Sequence, residues 1–493
     1  MYDLDALRER LAQLIIQRVD CVYIGNKDYE RKIKDYVSNN CGGFILFGGE
    51  KNKVRHFIKE LQSLSKVPLF IASDIECGLA RQIEDTTPFP CQMALASALY
   101  PDDHNLLIQM LSVISEECKY MGINMPLIPV LDVNKNPDNP IISTRAFSDD
   151  PQIVSWFAKY YADIFNKNNL IAVAKHFPGH GDTSVDSHIS LPVINKTKGE
   201  LINCDLLPFN NAIKYGLQGI MIGHLKVPSL DKDYPATLSN EIVNKLLRTD
   251  MGYQGLALTD AMNMSALENF EDVYTKALQA GIDIILHPIN FDECLNSLMS
   301  SFHKGLLREE TINRAYEKVI NIKQKGFFPI DTINLEKNRE IAKSICKKSI
   351  TLIKDNDNLI PIPNNSYYHL FVLDEGNKHN SAVFREFFRD SITMDNLDKA
   401  RDKDLIIVIF TVISAWHGNS GISNESKTVI QSLIKLAHHS IVVSLGSPYV
   451  LRHFSDANVL ISAYEPTLQA QENTVKGLFG EIEFNRNLPI KIS

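Results

Sequence analysis

The chain of 493 residues lacks the features that mark several special classes of protein. It contains no run of 18 apolar residues, so we predict no membrane-spanning helix. It has no basic block, and its net charge is only -8, which argues against nucleic acid and anionic membranes as partners. Its eight cysteines are scattered without a CxxC pair, which argues against a disulfide framework and a structural zinc site.

The beginning of the chain, MYDLDALRERLAQLI, also lacks the basic region, long apolar region and cleavage site of a signal peptide. We predict an amphipathic helix there and, with the cysteine pattern, a cytoplasmic location. Apolar residues make up 44% of the chain and charged residues 22%, values typical of a globular protein with packed cores. The length favours two or three domains.

Eight short, continuously apolar runs occur in the first 320 or so residues, and helical patterns separate them. They are CVYIG (21–25), GGFILFGG (42–49), VPLFIASD (67–74), GINMPLIPVLDV (122–133), LIAVAKH (170–176), QGIMIGH (218–224), GLALTD (255–260) and IDIILH (282–287). Continuous apolar runs indicate strands buried on both faces, as in a parallel sheet. The sequence therefore predicts an α/β fold with a (β/α)8 TIM-type barrel, and a doubly wound sheet is the alternative.

A second, smaller group of strands alternates with helices after about Leu335 and predicts an α/β sandwich. The segment QKGFFPIDTINLEK lies between the two groups. We predict a catalytic barrel domain over residues 1–325, a linker over 326–340 and a C-terminal α/β sandwich domain over 341–493.

Polar side chains stand at the carboxyl ends of the predicted barrel strands, the face at which barrel active sites form. They are Asp74, Asp132, Lys175, His176, His224 and Asp260. Asp260 either caps a helix beginning in AMNMSAL or presents a carboxylate to a partly dry pocket as a nucleophile. His224 is either a core histidine or part of a pocket wall.

The stretch KHFPGHGDTSVDSH (175–188) combines titratable side chains with a Pro-Gly break, which predicts a catalytic loop because such groups are costly to bury unpaired. Asp186 could orient and charge His188, or the two could form a solvated pair. Zinc or iron is the competing interpretation. However, Phe177-Pro178-Gly179 keeps His176 and His180 off a common helix face, so we predict no metal and no cofactor.

Two arginines admit two interpretations each. Arg145, in NPIISTRAFSDDP, is either a surface residue paired with a nearby aspartate or a ligand for a hydroxyl-rich or carboxylate-bearing substrate. Arg81, seven residues after Asp74, admits the same alternatives.

Taken together, these motifs resemble the β-N-acetylglucosaminidase branch of family 3 glycoside hydrolases. The loop KHFPGHGDTSVDSH resembles the signature loop of that branch, and GLALTDAMNM resembles the region of the family's nucleophile. LDVNKNPDNPIISTRAFSDDP matches another block of the family. LGSPYVLRHFSDANVLISAYEP resembles the C-terminal domain of two-domain members. The resemblance spans nearly the whole chain.

The resemblance implies roles for individual residues. Asp260 would be the nucleophile, and His188, assisted by Asp186, the general acid/base. Asp74, Arg145, Lys175 and His176 would bind the sugar, with Arg81 in a similar role. From its place at a strand end, we also predict His224 as a substrate-binding residue. It implies a small-molecule carbohydrate substrate and an exo-acting, retaining enzyme of cell-wall turnover.

The sequence departs from the resemblance at DIECGLAR, where the branch has DQEGGRVQR. Cys77 replaces a glycine, and the segment before Arg81 is one residue shorter. The alternative functions are a β-glucosidase, with Glu425 as a conceivable acid/base, a GlcNAc phosphorylase, or a non-catalytic sugar-binding protein. His180 and Asp182 have no implied role, and we expect them to make contacts that close the loop.

Overall fold

The computed structural model describes residues 3–187, 189–376, 378–411, 413 and 421–492. His188, the predicted acid/base, therefore lies outside the described residues. The chain divides into two compact units, the first comprising Met1–Pro88, Leu107–Val133 and Val154–Arg339. The second comprises Phe89–Leu106, Asn134–Ile153 and Glu340–Ser493, so it includes two segments from within the range predicted for the barrel domain.

Eight parallel strands are found among the described residues of the first unit. They are β1 (Ile15–Asp20), β2 (Gly43–Phe47), β3 (Phe70–Ser73), β4 (Met125–Pro126), β5 (Val173–Phe177), β6 (Gly219–Ile222), β7 (Leu256–Thr259) and β8 (Ile285–Leu286). They pair in the orders β4-β3-β2-β1-β8 and β5-β6-β7. Single parallel bridges, Val130 to Lys175 and Leu258 to Ile284, join the two sheets into a closed ring. The predicted (β/α)8 barrel is confirmed.

Helices occupy the connections between the strands. In chain order they are α1 (Leu4–Ala12), α2 (Lys27–Ser38), α3 (Lys51–Leu64), α4 (Gln92–Leu99), α5 (His104–Met121), α6 (Pro151–Lys167), α7 (Lys198–Asn203), α8 (Leu206–Lys214), α9 (Val273–Ala280), α10 (Phe291–His303), α11 (Glu309–Lys323), α12 (Leu335–Ser349), α13 (Ala382–Phe387), α14 (Asn424–Leu436) and α15 (Leu468–Leu478). A π-helix, Glu241–Asp250, connects β6 to β7.

The first predicted strand is wrong. CVYIG forms a short 3-10 turn, Cys21–Tyr23, whereas the strand is the preceding Ile15–Asp20. The polar residues of IIQRVD interrupt the apolar run of this strand. The helix predicted at the beginning of the chain therefore extends over the first residue of the strand. Val22 and Tyr23 are instead exposed, and their apolar side chains do not belong to the core.

The second unit is built on a six-stranded sheet of described residues. Its strands are β9 (Thr351–Asp355), β10 (Tyr368–Leu373), β11 (Ser391–Ile392), β12 (Asp404–Phe410), β13 (His439–Leu445) and β14 (Val459–Ser462). The order is β11-β10-β12-β13-β14-β9, and only the β14–β9 pair is antiparallel. Alternate residues of β12 enter two separate apolar clusters, one on each face of the sheet. The predicted α/β sandwich is confirmed.

The two early segments of the second unit are hydrogen-bonded to its late segments. The Ser97 hydroxyl donates to the Ser349 carbonyl at 3.1 Å, and the Ser148 hydroxyl donates to the Pro489 carbonyl. The Tyr449 hydroxyl donates to the Asn134 carbonyl at 3.2 Å. These bonds join parts of the sequence that lie more than 200 residues apart.

Two expectations about the whole chain can be compared with the structure. Within the described residues, no helix combines the length and the apolar character needed to cross a membrane. The eight cysteines all lie among the described residues, and none of them forms a disulfide there.

Candidate active site

The barrel brings most of the predicted site residues to the carboxyl ends of its strands. Asp74 directly follows β3, and Asp260 directly follows β7. Lys175 and His176 lie within β5, and His224 comes two residues after β6. Because parallel strands end at one face of a barrel, these side chains share the face at which catalysis takes place in this fold.

Lys175 is a buried cation between two carboxylates. Only 2% of its side chain is exposed, and its Nζ lies 2.6 Å from Asp74 Oδ1 and 2.8 Å from Glu76 Oε1. A buried ammonium needs such partners because its desolvation is costly. Asp74 keeps 34% of its side chain exposed, so this carboxylate remains available to accept hydrogen bonds from a bound hydroxyl.

Glu76 is a member of this group that the sequence reasoning missed. Its side chain is only 10% exposed and neutralises Lys175 together with Asp74. The two carboxylates stand two residues apart in DIECG, the segment read only as a departure from the family pattern. The i, i+2 spacing of two acids after a buried strand was the available signal.

His176 is held by Asp132. Its Nδ1 lies 2.7 Å from Asp132 Oδ2, and its amide also donates to this carboxylate at 3.2 Å. Burial raises the pKa of the fully buried Asp132 carboxyl, but the electrostatic interaction with His176 and the hydrogen bonds from His176 and the His180 amide outweigh burial and lower this pKa. An ionised Asp132 fixes the proton of His176 on Nδ1, which leaves Nε2 as the atom that can face a substrate.

His180 organises the loop that follows β5. Its amide donates to Asp132 Oδ1 at 2.6 Å, and its Nδ1 and Nε2 lie 2.8 Å and 3.1 Å from the hydroxyl oxygens of Thr183 and Ser187. The Thr183 hydroxyl donates its proton to the His180 carbonyl and so accepts from the ring. Nδ1 of His180 therefore donates to Thr183, and Nε2 accepts from Ser187. Burial, with His176 nearby, lowers the pKa of His180 to about 4, in keeping with a neutral ring.

These contacts bear on the metal alternative for the loop. Both ring nitrogens of His180 and Nδ1 of His176 are engaged by protein groups. These hydrogen bonds account for the burial of the two histidines, so their burial does not require a metal ion.

A second anchor ties the loop to the beginning of α8. Lys196 Nζ lies 3.2 Å from Asp182 Oδ2 and 2.8 Å from Asp205 Oδ2. Burial raises the pKa of Asp205 to about 6, although Lys196 acts in the opposite direction. Gly179 has φ +128°, and a Cβ there would lie 2.7 Å from the Asp205 Cβ, so only glycine permits this approach. His180 and Asp182 thus both make the expected loop contacts.

Asp260 is partly exposed at the end of β7. Its amide donates to the Ile222 carbonyl at 2.9 Å, and its Oδ1 accepts from the Ala261 amide at 2.8 Å. The helix predicted to begin in AMNMSAL is wrong, because residues 261–264 form a turn and only a short 3-10 helix, Ser265–Leu267, follows. Asp260 therefore caps no α-helix, which removes the main structural alternative for its carboxylate.

His224 supports the turn that carries Asp260. It is fully buried, its Nε2 donates to the Ala261 carbonyl at 3.1 Å, and its Nδ1 lies 2.7 Å from the Thr237 hydroxyl. Of the two alternatives for His224, a core histidine fits these contacts better than a pocket wall.

The remaining predicted residues are placed as follows. Asp186 is buried, and its carbonyl accepts from the Ile189 and Ser190 amides at 3.0 Å and 3.1 Å. Arg81 ends a 3-10 helix, Leu79–Arg81. Arg145 belongs to the second unit, where its Nη1 donates to the Ile141 carbonyl at 2.9 Å and its carbonyl accepts from Gln92.

A group on β1, β2 and β8 was missed altogether. Arg18 pairs with Asp20 at 2.5 Å and lies over the Phe47 ring at 4.4 Å. That ring in turn lies 5.9 Å from the buried ring of His287, which directly follows β8. Burial lowers the pKa of His287 to about 4, Arg18 acts in the same direction, and Asp20, Asp74 and Asp260 act against it. The mouth of the barrel, which is the face formed by the carboxyl ends of its strands, therefore continues across β1 and β8.

This buried, neutral histidine makes stability depend on pH. Below pH 6.5 the unfolded chain protonates His287 while the folded chain does not, so stability is lost as the pH falls from about 6.5 to about 4. We expect His287→Gln to remove up to about 3 kcal/mol of the loss in unfolding free energy over this interval, measured by urea titration. The matched control is His56→Gln, which makes the same replacement at an exposed histidine of the same unit. Equal pH slopes for wild type and His287→Gln would contradict the assignment.

Comparison with known proteins agrees with this geometry. Residues 6–322 match the Glycosyl hydrolase family 3 N terminal domain. The chain is 32% identical over 376 residues to beta-hexosaminidase A of Pseudoalteromonas piscicida, covering 68% of this chain and 62% of that protein. It is 28% identical over 489 residues to a beta-N-acetylglucosaminidase/beta-glucosidase of Cellulomonas fimi, covering 88% and 85%.

A solved structure, a glycoside hydrolase family 3 beta-N-acetylglucosaminidase from Paenibacillus sp. str. FPU-7, superimposes with a TM-score of 0.84. The two chains are 25% identical, and the match covers 99% of each. The match to the family domain runs from α1 to α11, through all eight barrel strands. The chain belongs to glycosyl hydrolase family 3.

Proposed function

We propose that the protein is a retaining exo-β-N-acetylglucosaminidase that releases terminal β-linked N-acetylglucosamine, including that of muropeptide-type cell-wall fragments. The observation that carries the proposal is the presence of a partly exposed carboxylate, Asp260, at the same barrel face as a cluster of ion-paired and hydrogen-bonded polar side chains. That cluster comprises Asp74, Glu76, Lys175 and the His176–Asp132 pair. Relatives named for β-hexosaminidase activity support the choice of sugar.

In the proposed mechanism, Asp260 attacks the anomeric carbon and the bond from that carbon to the leaving oxygen breaks. His188 gives its proton to the leaving oxygen, and Asp186 stabilises the charged imidazole. Water then loses a proton to His188 and attacks the covalent intermediate, which frees Asp260 and retains the β configuration. The turn held by His224 would keep the Asp260 carboxylate in position throughout.

The sugar would be bound by the charged groups of the mouth. Asp74 would accept hydrogen bonds from hydroxyl groups, with Lys175 holding its carboxylate in place. His176 would present Nε2. Arg145 and Arg81 are proposed as further substrate ligands. A partly exposed carboxylate backed by a buried ammonium can bind a hydroxyl without rearranging, which favours pre-organised recognition.

The second candidate is a β-glucosidase, since the Cellulomonas relative is named for both activities. A histidine acid/base also adds no negative charge, which permits phosphate to replace water as the acceptor.

The test is hydrolysis of 4-nitrophenyl β-N-acetylglucosaminide and β-glucoside, with and without phosphate, followed by product analysis. We expect the first substrate to be cleaved at least about 10-fold more efficiently, with free N-acetylglucosamine as the product. Preference for the glucoside, or a sugar phosphate as product, would overturn the proposal.

The role of His188 is tested in the same assay with two leaving groups. His188→Ala should lower kcat/KM, which reports the step in which the leaving oxygen departs, by roughly 10²–10⁴-fold for a glycoside with a poorly acidic leaving alcohol and much less for the nitrophenyl glycoside. A poor leaving group needs the proton, whereas nitrophenolate departs without it. Equal losses on both substrates would argue against an acid role. His56→Ala, in an exposed position, is the control for general damage.

A further inference from the structure

Three side chains of the second unit converge at the amino-terminal edge of its sheet. Asp404 begins β12 and His439 begins β13, and these two residues are partners in the parallel register. His438 comes directly before β13. The Nδ1 atoms of His438 and His439 lie 3.0 Å and 2.9 Å from the same oxygen, Asp404 Oδ1, and the two rings are 3.9 Å apart.

We propose that Asp404, His438 and His439 form a binding site for a divalent transition-metal ion, with Zn²⁺ as the best fit. The three potential ligand atoms all lie within 4.8 Å of one another. A tetrahedral zinc ion bound at about 2.0–2.1 Å separates its nitrogen and oxygen ligands by about 3.3 Å. The observed spacings from carboxylate to imidazole are within a few tenths of an ångström of this value.

The arrangement is set by the backbone and is unusual for neighbouring residues. Consecutive side chains in a strand project to opposite faces, but His438 precedes β13, and both imidazoles turn to one carboxylate. The turn before β13 imposes this geometry, since the His438 amide donates to the Lys403 carbonyl at 2.9 Å and the Asp402 amide to the Leu436 carbonyl at 3.0 Å. A site with two preset ligands loses little conformational freedom when an ion binds.

The donor set and its exposure define the class of ion. Two neutral imidazoles and one carboxylate suit Zn²⁺, Ni²⁺ and Cu²⁺, whereas Mg²⁺ and Ca²⁺ prefer oxygen ligands. The side chains of His438, His439 and Asp404 are 64%, 28% and 31% exposed, so an ion can enter and keep water in the remaining position. The site belongs to the second unit alone and does not depend on the proposed sugar chemistry.

The experiment is isothermal titration of the chelator-treated full-length protein with zinc sulfate. Wild type should bind one more zinc ion per chain than His439→Ala, or should bind it more than about 10-fold more tightly, because even groups outside the ligand shell commonly change metal affinity by 10–100-fold. His438→Gln should have the same effect and, at a mostly exposed position, should fold normally. The control is His379→Ala, which removes a histidine that faces a single carboxylate, Asp374, at 3.1 Å.

A spectroscopic measurement separates a metal site from two ordinary hydrogen bonds. Titrated with Co²⁺, wild type and His379→Ala should develop the same visible absorption, and His438→Gln should lose it. Zinc binding elsewhere in the chain cancels in these comparisons because all variants retain it. Equal zinc stoichiometry and affinity in wild type, His439→Ala and His438→Gln would overturn the proposal and leave only a pair of hydrogen bonds to Asp404.

Discussion

Replacing Asp260 with asparagine is expected to reduce kcat on 4-nitrophenyl β-N-acetylglucosaminide by roughly 10⁴-fold or more. The amide is nearly isosteric and can still accept the hydrogen bond from the Ala261 amide, so the turn should persist. What is lost is the negatively charged oxygen that would form the bond to the anomeric carbon. Stopped assays with purified enzyme, with circular dichroism as a check on folding, measure the effect.

Azide provides a sharper version of this experiment. If Asp260 is the nucleophile, azide should restore activity to Asp260→Asn and give a glycosyl azide of inverted, α configuration, because it attacks the substrate directly. Asp250→Asn, in an exposed position at the end of the π-helix, is the matched control and should retain full activity. Undiminished turnover by Asp260→Asn would remove Asp260 from the mechanism.

Removing the Asp132 carboxylate is expected to have the second large effect. Asp132→Ala leaves His176 and the His180 amide without their acceptor inside the protein, which should cost about 3–5 kcal/mol of unfolding free energy. It also frees the His176 proton to move between ring nitrogens, so kcat/KM should fall by at least about 10²-fold. Urea unfolding and steady-state kinetics measure the two effects.

The control for Asp132 is an aspartate that also has a side-chain partner but lies at the surface. Asp163 is about half exposed and pairs with Lys167 at 2.7 Å along α6. Asp163→Ala should cost only about 0.3–0.5 kcal/mol and leave kcat/KM unchanged. If Asp132→Ala behaved like Asp163→Ala, the buried carboxylate would not be organising the mouth.

The barrel could be predicted because seven of its strands lie in continuous apolar runs such as GIMI of β6, whose four residues are all buried. Strand β1 was not predicted because Gln17, Arg18 and Asp20 interrupt its apolar residues. The missed strand and two of the missed site residues, Arg18 and Asp20, have the same cause. Arg18 and Asp20 are polar because they reach the mouth of the barrel, and their polarity hid the strand that carries them.

The loop after β5 was predictable as a site, but the partners of its residues were not. Lys175 and His176 stand out by their type and place, whereas their carboxylate partners lie 101 and 44 residues earlier in the chain. Only the closed ring of strands brings them together. The same holds for Asp205, whose close approach to Gly179 no local pattern shows.

The composition of the second unit has a consequence for how the chain becomes folded. Phe89–Leu106 and Asn134–Ile153 leave the ribosome long before Glu340–Ser493, the segment with which they form a compact unit. Their hydrogen-bond partners therefore exist only after that later segment has been synthesised. Arg145 lies in the second of these early segments. A chain cut at residue 339 would keep this arginine and lose the six-stranded sheet of the unit to which it belongs, so removing the late third of the sequence would also disrupt the two early segments.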